Sequence, residues 1–150
     1  MTNSFSKKGQ SIFEVVIAIA IAAIVMTVIV SLSADSLSNS IYSKNKTLAN
    51  RYTSETIEWL RWQRESMGWQ SFSTQITASA NWCFATLALS ASYRHTCVIT
   101  NAADAISGTS YFRNVSVSNT GGRLDVTINV SWRESDGWHE TETSTSLVNI

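Results

Sequence analysis

At positions 12 to 30 the chain reads IFEVVIAIAIAAIVMTVIV, which is apolar except for one Glu and one Thr. These 19 residues would extend about 28 Å as a helix, close to the thickness of a bilayer's hydrocarbon core. Lys7 and Lys8 precede the stretch, and the next Lys or Arg is Lys44. That charge bias places the N-terminus in the cytoplasm. The sequence therefore predicts one membrane-spanning helix, with the C-terminal part of the chain outside.

Three interpretations compete for this apolar segment. A cleaved secretory signal would have an apolar core of about 7 to 15 residues before a small-x-small site. Ser31-Leu32-Ser33 is a candidate for such a site, but the apolar run is too long. A plain signal anchor fits the length but gives no reason for Glu14, because an acid costs about 2.5 to 3.5 kcal/mol at mid-membrane and less near the edge. A third interpretation has to supply this carboxylate with a partner.

Residues 7 to 16 read KKGQSIFEVV, in which two lysines and a Gly precede the apolar run and Glu14 lies near its start. This pattern resembles the class III signal of the type IV prepilin family. In that family a prepilin peptidase cleaves after the Gly on the cytoplasmic face and methylates the new amine. The resemblance implies that Gly9 ends the leader and that Gln10 becomes the N-terminus. It also implies that Glu14 neutralises a subunit's amine in the fibre core, where an unpaired charge is costly.

Two residues depart from the commonest pattern of the family. The first mature residue is usually Phe, whereas here it is Gln10, so methylation of this amine is an open question. Many major pilins also carry a Pro about two-thirds along the span, where this chain has Ser31 and contains no Pro at all. The absence of Pro and the Trp-rich C-terminal half resemble accessory subunits, which favours a minor pilin or a type II secretion pseudopilin over a major pilin.

After Val30 the sequence becomes polar but keeps helical spacing, which predicts a second, amphipathic part of the same helix. We expect Gly68 to cap its end, and a helix from Gln10 to Ser66 would be about 85 Å long and would protrude from the domain. We expect Trp59 and Trp62 to pack in the core rather than form a platform for a carbohydrate or a base. The predicted stripe along one face is Leu37, Ile41, Leu48, Tyr52, Trp59 and Trp62, and a second set is Tyr42, Ala49, Ile57 and Leu60.

The C-terminal half shows the alternation that is typical of strands buried on one face. Residues 124–132 alternate strictly, Asp136-Gly137 suggests a hairpin turn, and Gly121-Gly122 marks an earlier turn. An antiparallel meander that covers the helix is expected. The predicted strands are Tyr111–Ser118, Leu124–Trp132 and Trp138–Val148, with Trp82–Leu89 and Tyr93–Thr100 as weaker candidates.

Cys83 and Cys97 both lie in the half that is predicted to be exported, where disulfides form and persist. A bridge between them would close a loop of about 15 residues and contribute about 3 kcal/mol in the chain-entropy model. The alternative is two unpaired, buried thiols. We favour the disulfide.

Composition and motifs argue against an enzyme. Lys plus Arg equals Asp plus Glu, 11 of each, so no net charge attracts a nucleic acid, and no specific nucleic acid or cofactor is expected. His95 and Cys97, two residues apart, lack a third group to orient a nucleophile. A metal site from both histidines and both cysteines lacks the close paired spacing of zinc modules. The three aspartates expected to be ordinary solvated surface are Asp104, Asp125 and Asp136.

The sequence thus predicts an α+β chain with the type IV pilin fold: residues 1–9 are a leader, 10–31 a transmembrane and assembly helix, 32–67 an amphipathic helix, and 68–150 an antiparallel sheet domain. The resemblance implies a fibre subunit that starts in the cytoplasmic membrane and ends in an extracellular or periplasmic filament. Its implied partners are the prepilin peptidase, other pilin subunits, an inner-membrane assembly platform and lipid. The alternative is a membrane-anchored exported module that binds polysaccharide or DNA and is not built into a fibre.

Overall fold

The structure is a computed structural model that describes residues 12–149. Its first element is a single helix, α1, which runs from Ile12 to Met67. The chain divides into two compact units at residues 41 and 42, so α1 contributes its first part to one unit and its second part to the other. The fold confirms the predicted α+β layout, a long N-terminal helix and an antiparallel sheet, which is consistent with the pilin fold.

In the first unit, residues 12–41 of α1 are all exposed. By its length and composition this part of the helix could cross a membrane. Two of its hydroxyl side chains bond to the helix itself, because Thr27 donates to the carbonyl of Ile24 at 2.7 Å and Ser33 donates to that of Ile29 at 2.9 Å. Such back-bonding lets a hydroxyl sit in an apolar surrounding without an outside partner.

In the second unit, α1 ends at Met67 because Gly68 takes φ +77°, a conformation that suits Gly and ends helices. The predicted end of the helix is therefore confirmed. A short helix that the sequence did not predict, α2, follows at Trp69–Ile76. It buries Phe72 and Ile76, and these two residues are four apart on one helical face.

Four strands form one antiparallel sheet and lie side by side in chain order: β1 Asn81–Cys83, β2 Phe112–Thr120, β3 Arg123–Glu134 and β4 Gly137–Leu147. The predicted meander of the last three strands is confirmed, with shifts of one or two residues at their ends. The two-residue turn between β2 and β3 needs Gly121 and Gly122, which have φ +60° and +84°.

The two weaker strand predictions are largely wrong. Of Trp82–Leu89 only the beginning is a strand, and Tyr93–Thr100 contains none. This region instead forms a long loop with two turns of 3-10 helix. Each turn is capped locally, because the side chains of Ser90 and Asn101 accept hydrogen bonds from backbone N–H groups two residues ahead. Such local bonds compete with strand pairing.

The helix face that packs on the sheet differs in part from the predicted stripe. The fully buried side chains of α1 are small or follow the second predicted set, while Leu48, Tyr52 and Trp59 only border the core and Trp62 is 59% exposed. Leu37 and Ile41 belong to the exposed first unit. The buried residues of α1 are Ala49, Thr53, Thr56 and Leu60.

Candidate functional site

The exposed apolar surface of α1 is the most unusual feature of the first unit. Its large side chains include Phe13, which is 72% exposed, and every other apolar residue of the segment is exposed as well. A soluble monomer rarely exposes a continuous apolar surface of more than a few hundred Å². This surface therefore requires an apolar cover that the chain does not provide, such as lipid or other helices.

Glu14 is the only ionisable side chain between residues 12 and 34. It lies in the first described turn of α1, where a carboxylate interacts favourably with the positive end of the helix dipole. It is exposed and has no hydrogen-bond partner within residues 12–149. The helix thus carries one charge near its start and a long apolar surface after it.

Gly9, Gln10 and the two leader lysines lie outside the described residues. Processing after Gly9 and pairing of Glu14 with an amine at Gln10 therefore stay predictions.

A buried arginine joins α1 to the sheet in the second unit. Arg113 of β2 is only 2% exposed. Its Nε donates to the carbonyl of Phe84 at 3.1 Å, and its guanidinium NH1 donates to Thr56 Oγ1 at 3.2 Å and to a Glu55 carboxylate oxygen at 3.4 Å. Burial lowers the pKa of Arg113, while the Glu55 carboxylate opposes that shift. Glu55, an acid on the same helical face as Tyr52 and Trp59, thus pairs with this buried cation.

Sequence analysis missed this arginine, although a signal was present. In an alternating strand, Arg113 falls on the same face as Val115 and Val117, and that face is buried. A charged residue in a buried row needs a partner, and the polar residues of the facing helix were the available candidates.

A second polar group ties the helix to β3. Glu134 accepts hydrogen bonds from the Trp132 indole at 2.7 Å and from the Asn45 amide at 3.0 Å. The Tyr111 hydroxyl donates to the side-chain oxygen of Asn45, Oδ1, at 3.2 Å. Burial raises the pKa of Tyr111, and the neighbouring Tyr52 and Glu134 raise it further. Together with Arg113, this group fixes both the height and the rotation of the helix on the sheet.

The predicted disulfide between Cys83 and Cys97 is confirmed, with the two Cα atoms 4.7 Å apart. It links the end of β1 to the long loop. Asp104 holds the same loop, because its carboxylate accepts from the Val98 backbone N–H at 2.8 Å and from Asn101 Nδ2 at 3.2 Å. The expectation that Asp104 is solvated surface is therefore wrong, since only 7% of the residue is exposed.

The structure places the two histidines in different groups. His95 lies near Cys83 and Asp104, whereas His139 lies near Glu134 and Asp136. The sulfur of Cys83 is bonded in the disulfide, which leaves only two ligands in the first group. In the second group, His139 Nε2 lies 2.9 Å from a carboxylate oxygen of Asp136, and this hydrogen bond lowers the pKa of Asp136. The four residues considered as a metal site from sequence thus do not converge.

The two tryptophans of α1, Trp59 and Trp62, have different surroundings. Trp59 packs edge-on against Phe84 with ring centroids 5.5 Å apart, as expected for core packing. Trp62 is exposed, so the expectation of core packing is wrong for this residue.

No protein-family model matches this chain, and neither a curated protein nor a solved structure matches it.

Proposed function

We propose that this chain is a structural subunit, a minor pilin or pseudopilin, of a type IV pilus-like filament. The observation that carries the proposal is the leader pattern in front of α1. Two lysines and Gly9 precede an apolar helix with a single acid, Glu14, and that helix continues into a part that packs on an antiparallel sheet.

The chemistry of the apolar surface supports the same function. In the membrane, lipid covers the exposed side chains of residues 12–30. In a fibre, equivalent helices from other subunits replace the lipid, and head-to-tail contacts of this kind extend into filaments. The partners are then the prepilin peptidase, other pilin subunits, an inner-membrane assembly platform and membrane lipid. The subunit begins as a single-pass protein of the cytoplasmic membrane with its N-terminus inside, and it ends in an extracellular or periplasmic fibre.

A membrane-anchored exported binding module is the second candidate, and the exposed ring of Trp62 favours it. An aromatic ring in this position offers a stacking surface to a sugar or a base. A plain anchor needs neither cleavage at Gly9 nor a carboxylate at position 14, so processing separates the two functions.

The test is the N-terminus of the protein isolated from a host that has its own prepilin peptidase. Terminal sequencing and intact mass should show a chain that begins at Gln10. A Gly9→Val variant, which places a branched side chain at the cleavage position, should keep the leader, and so should the wild-type chain in a strain without the peptidase. A wild-type chain that begins at Met1 or after Ser33 would contradict the filament function.

A further inference from the structure

The outer edge of β4 is the longest unpaired backbone segment of the sheet. All eleven residues from Gly137 to Leu147 pair one-to-one with β3, and β4 is the last strand in the sheet order. Since alternate residues of an antiparallel strand face opposite neighbours, about half of its backbone N–H and C=O groups point away from β3. Within the described chain, no backbone group outside β3 bonds to these residues. The opposite edge, β1, has only three residues.

Most of the usual protections of an edge strand are absent from β4. Proteins shield such edges with Pro, with charged side chains and above all Lys, with bulges or by keeping the strand short. The chain contains no Pro, β4 contains no Lys or Arg, and its register with β3 has no bulge. Its composition is rich in Thr, which favours extended structure. The edge is therefore able to accept another strand.

The side chains of β4 define what such a strand should carry. Glu140 and Glu142 point to the exposed face of the sheet, on the same side as each other. Neither forms an ion pair with a cation of residues 12–149, and Glu140 only accepts a hydrogen bond from Asn129 at 3.1 Å. The opposite face presents three partly buried hydroxyl residues, Thr141, Thr143 and Thr145.

These charges disfavour a second copy of the same chain as the occupant. Glu142 is the central residue of the eleven, so antiparallel pairing of two complete β4 strands places Glu142 opposite Glu142. In that register Glu140 lies diagonal to the other copy's Glu142. Like charges at facing and diagonal positions destabilise a sheet.

We propose that the edge of β4 binds an extended segment of a different polypeptide, with Lys or Arg at two alternating positions. The two basic residues face Glu140 and Glu142. The residues that alternate with them point to the other face of the sheet and lie beside the threonine row. Backbone hydrogen bonds hold the segment, and the side-chain charges select it, which is the usual division of roles in strand addition. This inference goes beyond the proposed filament function and does not rest on it, because it involves β4 and not the apolar helix.

The test uses the full chain in a neutral detergent and three labelled peptides, with binding followed by fluorescence anisotropy. The first peptide alternates Thr or Val with two lysines placed two residues apart. The second has glutamates in place of both lysines. The third keeps both lysines but has methylated backbone amides, which removes its donors. We expect the wild type to bind the first peptide about tenfold more tightly than either of the others.

Two matched double variants separate edge pairing from general charge attraction. E140K/E142K should reverse the preference, so that the glutamate peptide binds better. E58K/E65K changes the net charge equally but at exposed sites on α1, and it should keep the wild-type preference. If E140K/E142K does not fold, as judged by near-UV circular dichroism, E140Q/E142Q should instead lose most of the preference.

Three results would overturn the proposal. Equal affinity of the wild type for the lysine and glutamate peptides would mean that the glutamates only keep the edge unpaired. Equal binding of the methylated peptide would mean that charge alone attracts it. Wild-type dimers that compete with the lysine peptide would assign the edge to a second copy of the chain.

Discussion

The two parts of helix α1 have the same backbone structure but opposite surroundings. From Ile12 to Ile41 every side chain is exposed, and most of the early ones are large and apolar. From Tyr42 to Met67 one face is buried on the sheet, through small residues such as Ala49 and Thr53. The first part has the apolar composition of a buried helix but is exposed. The second part is packed on a core, yet Leu60 is the only large apolar residue among the four that it buries.

This difference shows where the stability of each part comes from. A helix gains most of its stability from packing rather than from propensity, so the second part is stabilised by its own sheet. The first part depends on lipid or on other helices for the same contribution. Substitutions in the first part should therefore change insertion or assembly, whereas substitutions in the second part should change the free energy of unfolding of the sheet domain.

The largest effect is expected for Glu14→Ala, measured as incorporation into filaments. Loss of the carboxylate removes its cost in the bilayer, so membrane insertion should be unchanged or improved. In a fibre the same change leaves a buried amine without a partner, a loss that can reach about 3 to 5 kcal/mol, or roughly 200-fold and more in an equilibrium. Fractionation should find the variant in membranes and depleted from sheared filaments.

Glu14→Asp is the matched variant, because it keeps the charge but shortens the reach of the side chain. Its incorporation should fall between those of the wild type and Glu14→Ala. If Glu14→Ala enters filaments as well as the wild type, the pairing of charges is not what drives assembly of this subunit.

The second prediction compares Leu60→Ala with Ile24→Ala. Leu60 is fully buried in the second unit, whereas Ile24 is exposed in the first. Leu60→Ala should lower the free energy of unfolding of the sheet domain by about 2 to 5 kcal/mol. Ile24→Ala should leave it unchanged. Denaturant unfolding of the full chain in detergent, followed by tryptophan fluorescence, measures both, and similar losses for the two variants would contradict the division of α1.

The third prediction concerns the disulfide, which lies wholly in the second unit. Replacing both cysteines with Ser should cost about 3 kcal/mol in unfolding free energy and should not affect membrane insertion. Reductant should destabilise the wild type by a similar amount and leave the double variant unchanged. Recovery of Cys83 and Cys97 as free thiols in nonreducing peptide mapping of the native protein would contradict the bridge.

The sequence predicted those features that leave a periodic or compositional signal. The apolar part of α1 from Ile12 to Val30, the end of α1 at Gly68 and the last three strands all carry such signals. The loop between β1 and β2 does not, because its turns depend on single side chains such as Ser90 and Asn101 that bond nearby backbone groups. Such local hydrogen bonds compete with strand pairing, and a pattern of alternating apolar residues does not reveal them.

The buried face of α1 and its polar anchors were harder to predict for a different reason. Ala49, Thr53 and Thr56 are buried, but small residues give little signal in a pattern that counts large apolar ones. Asp104 accepts hydrogen bonds from Val98 and Asn101 of the same loop. Only the folded loop brings these groups together, so the sequence did not predict this role.

The smallest expected effect concerns Asp125, an acid whose surroundings contrast with those of Glu14. Asp125 lies on the exposed face of β3, where Ser146 Oγ donates to it at 2.6 Å and Arg123 donates at 3.1 Å. The Ser146 hydrogen bond, followed by that from Arg123, lowers the pKa of Asp125 below its ordinary value of 3.8. Its partners come from its own sheet, whereas within residues 12–149 Glu14 has none.

Because the pKa of Asp125 is lower in the folded state than in the unfolded state, its contribution to stability is present above about pH 4. It is lost as the pH falls through the lowered value, since the proton then binds the folded carboxylate as well. Asp125→Asn should therefore flatten the dependence of unfolding free energy on pH below about pH 4.

Ser146→Ala should move the pKa of Asp125 upward in a carboxyl NMR titration, because the donor that lowers it most is removed. Ser144→Ala is the matched control, since this neighbouring hydroxyl on the same face of β4 bonds to Thr127 instead. If the pKa of Asp125 were the same in the wild type and in Ser146→Ala, Arg123 and not Ser146 would be the residue that lowers it.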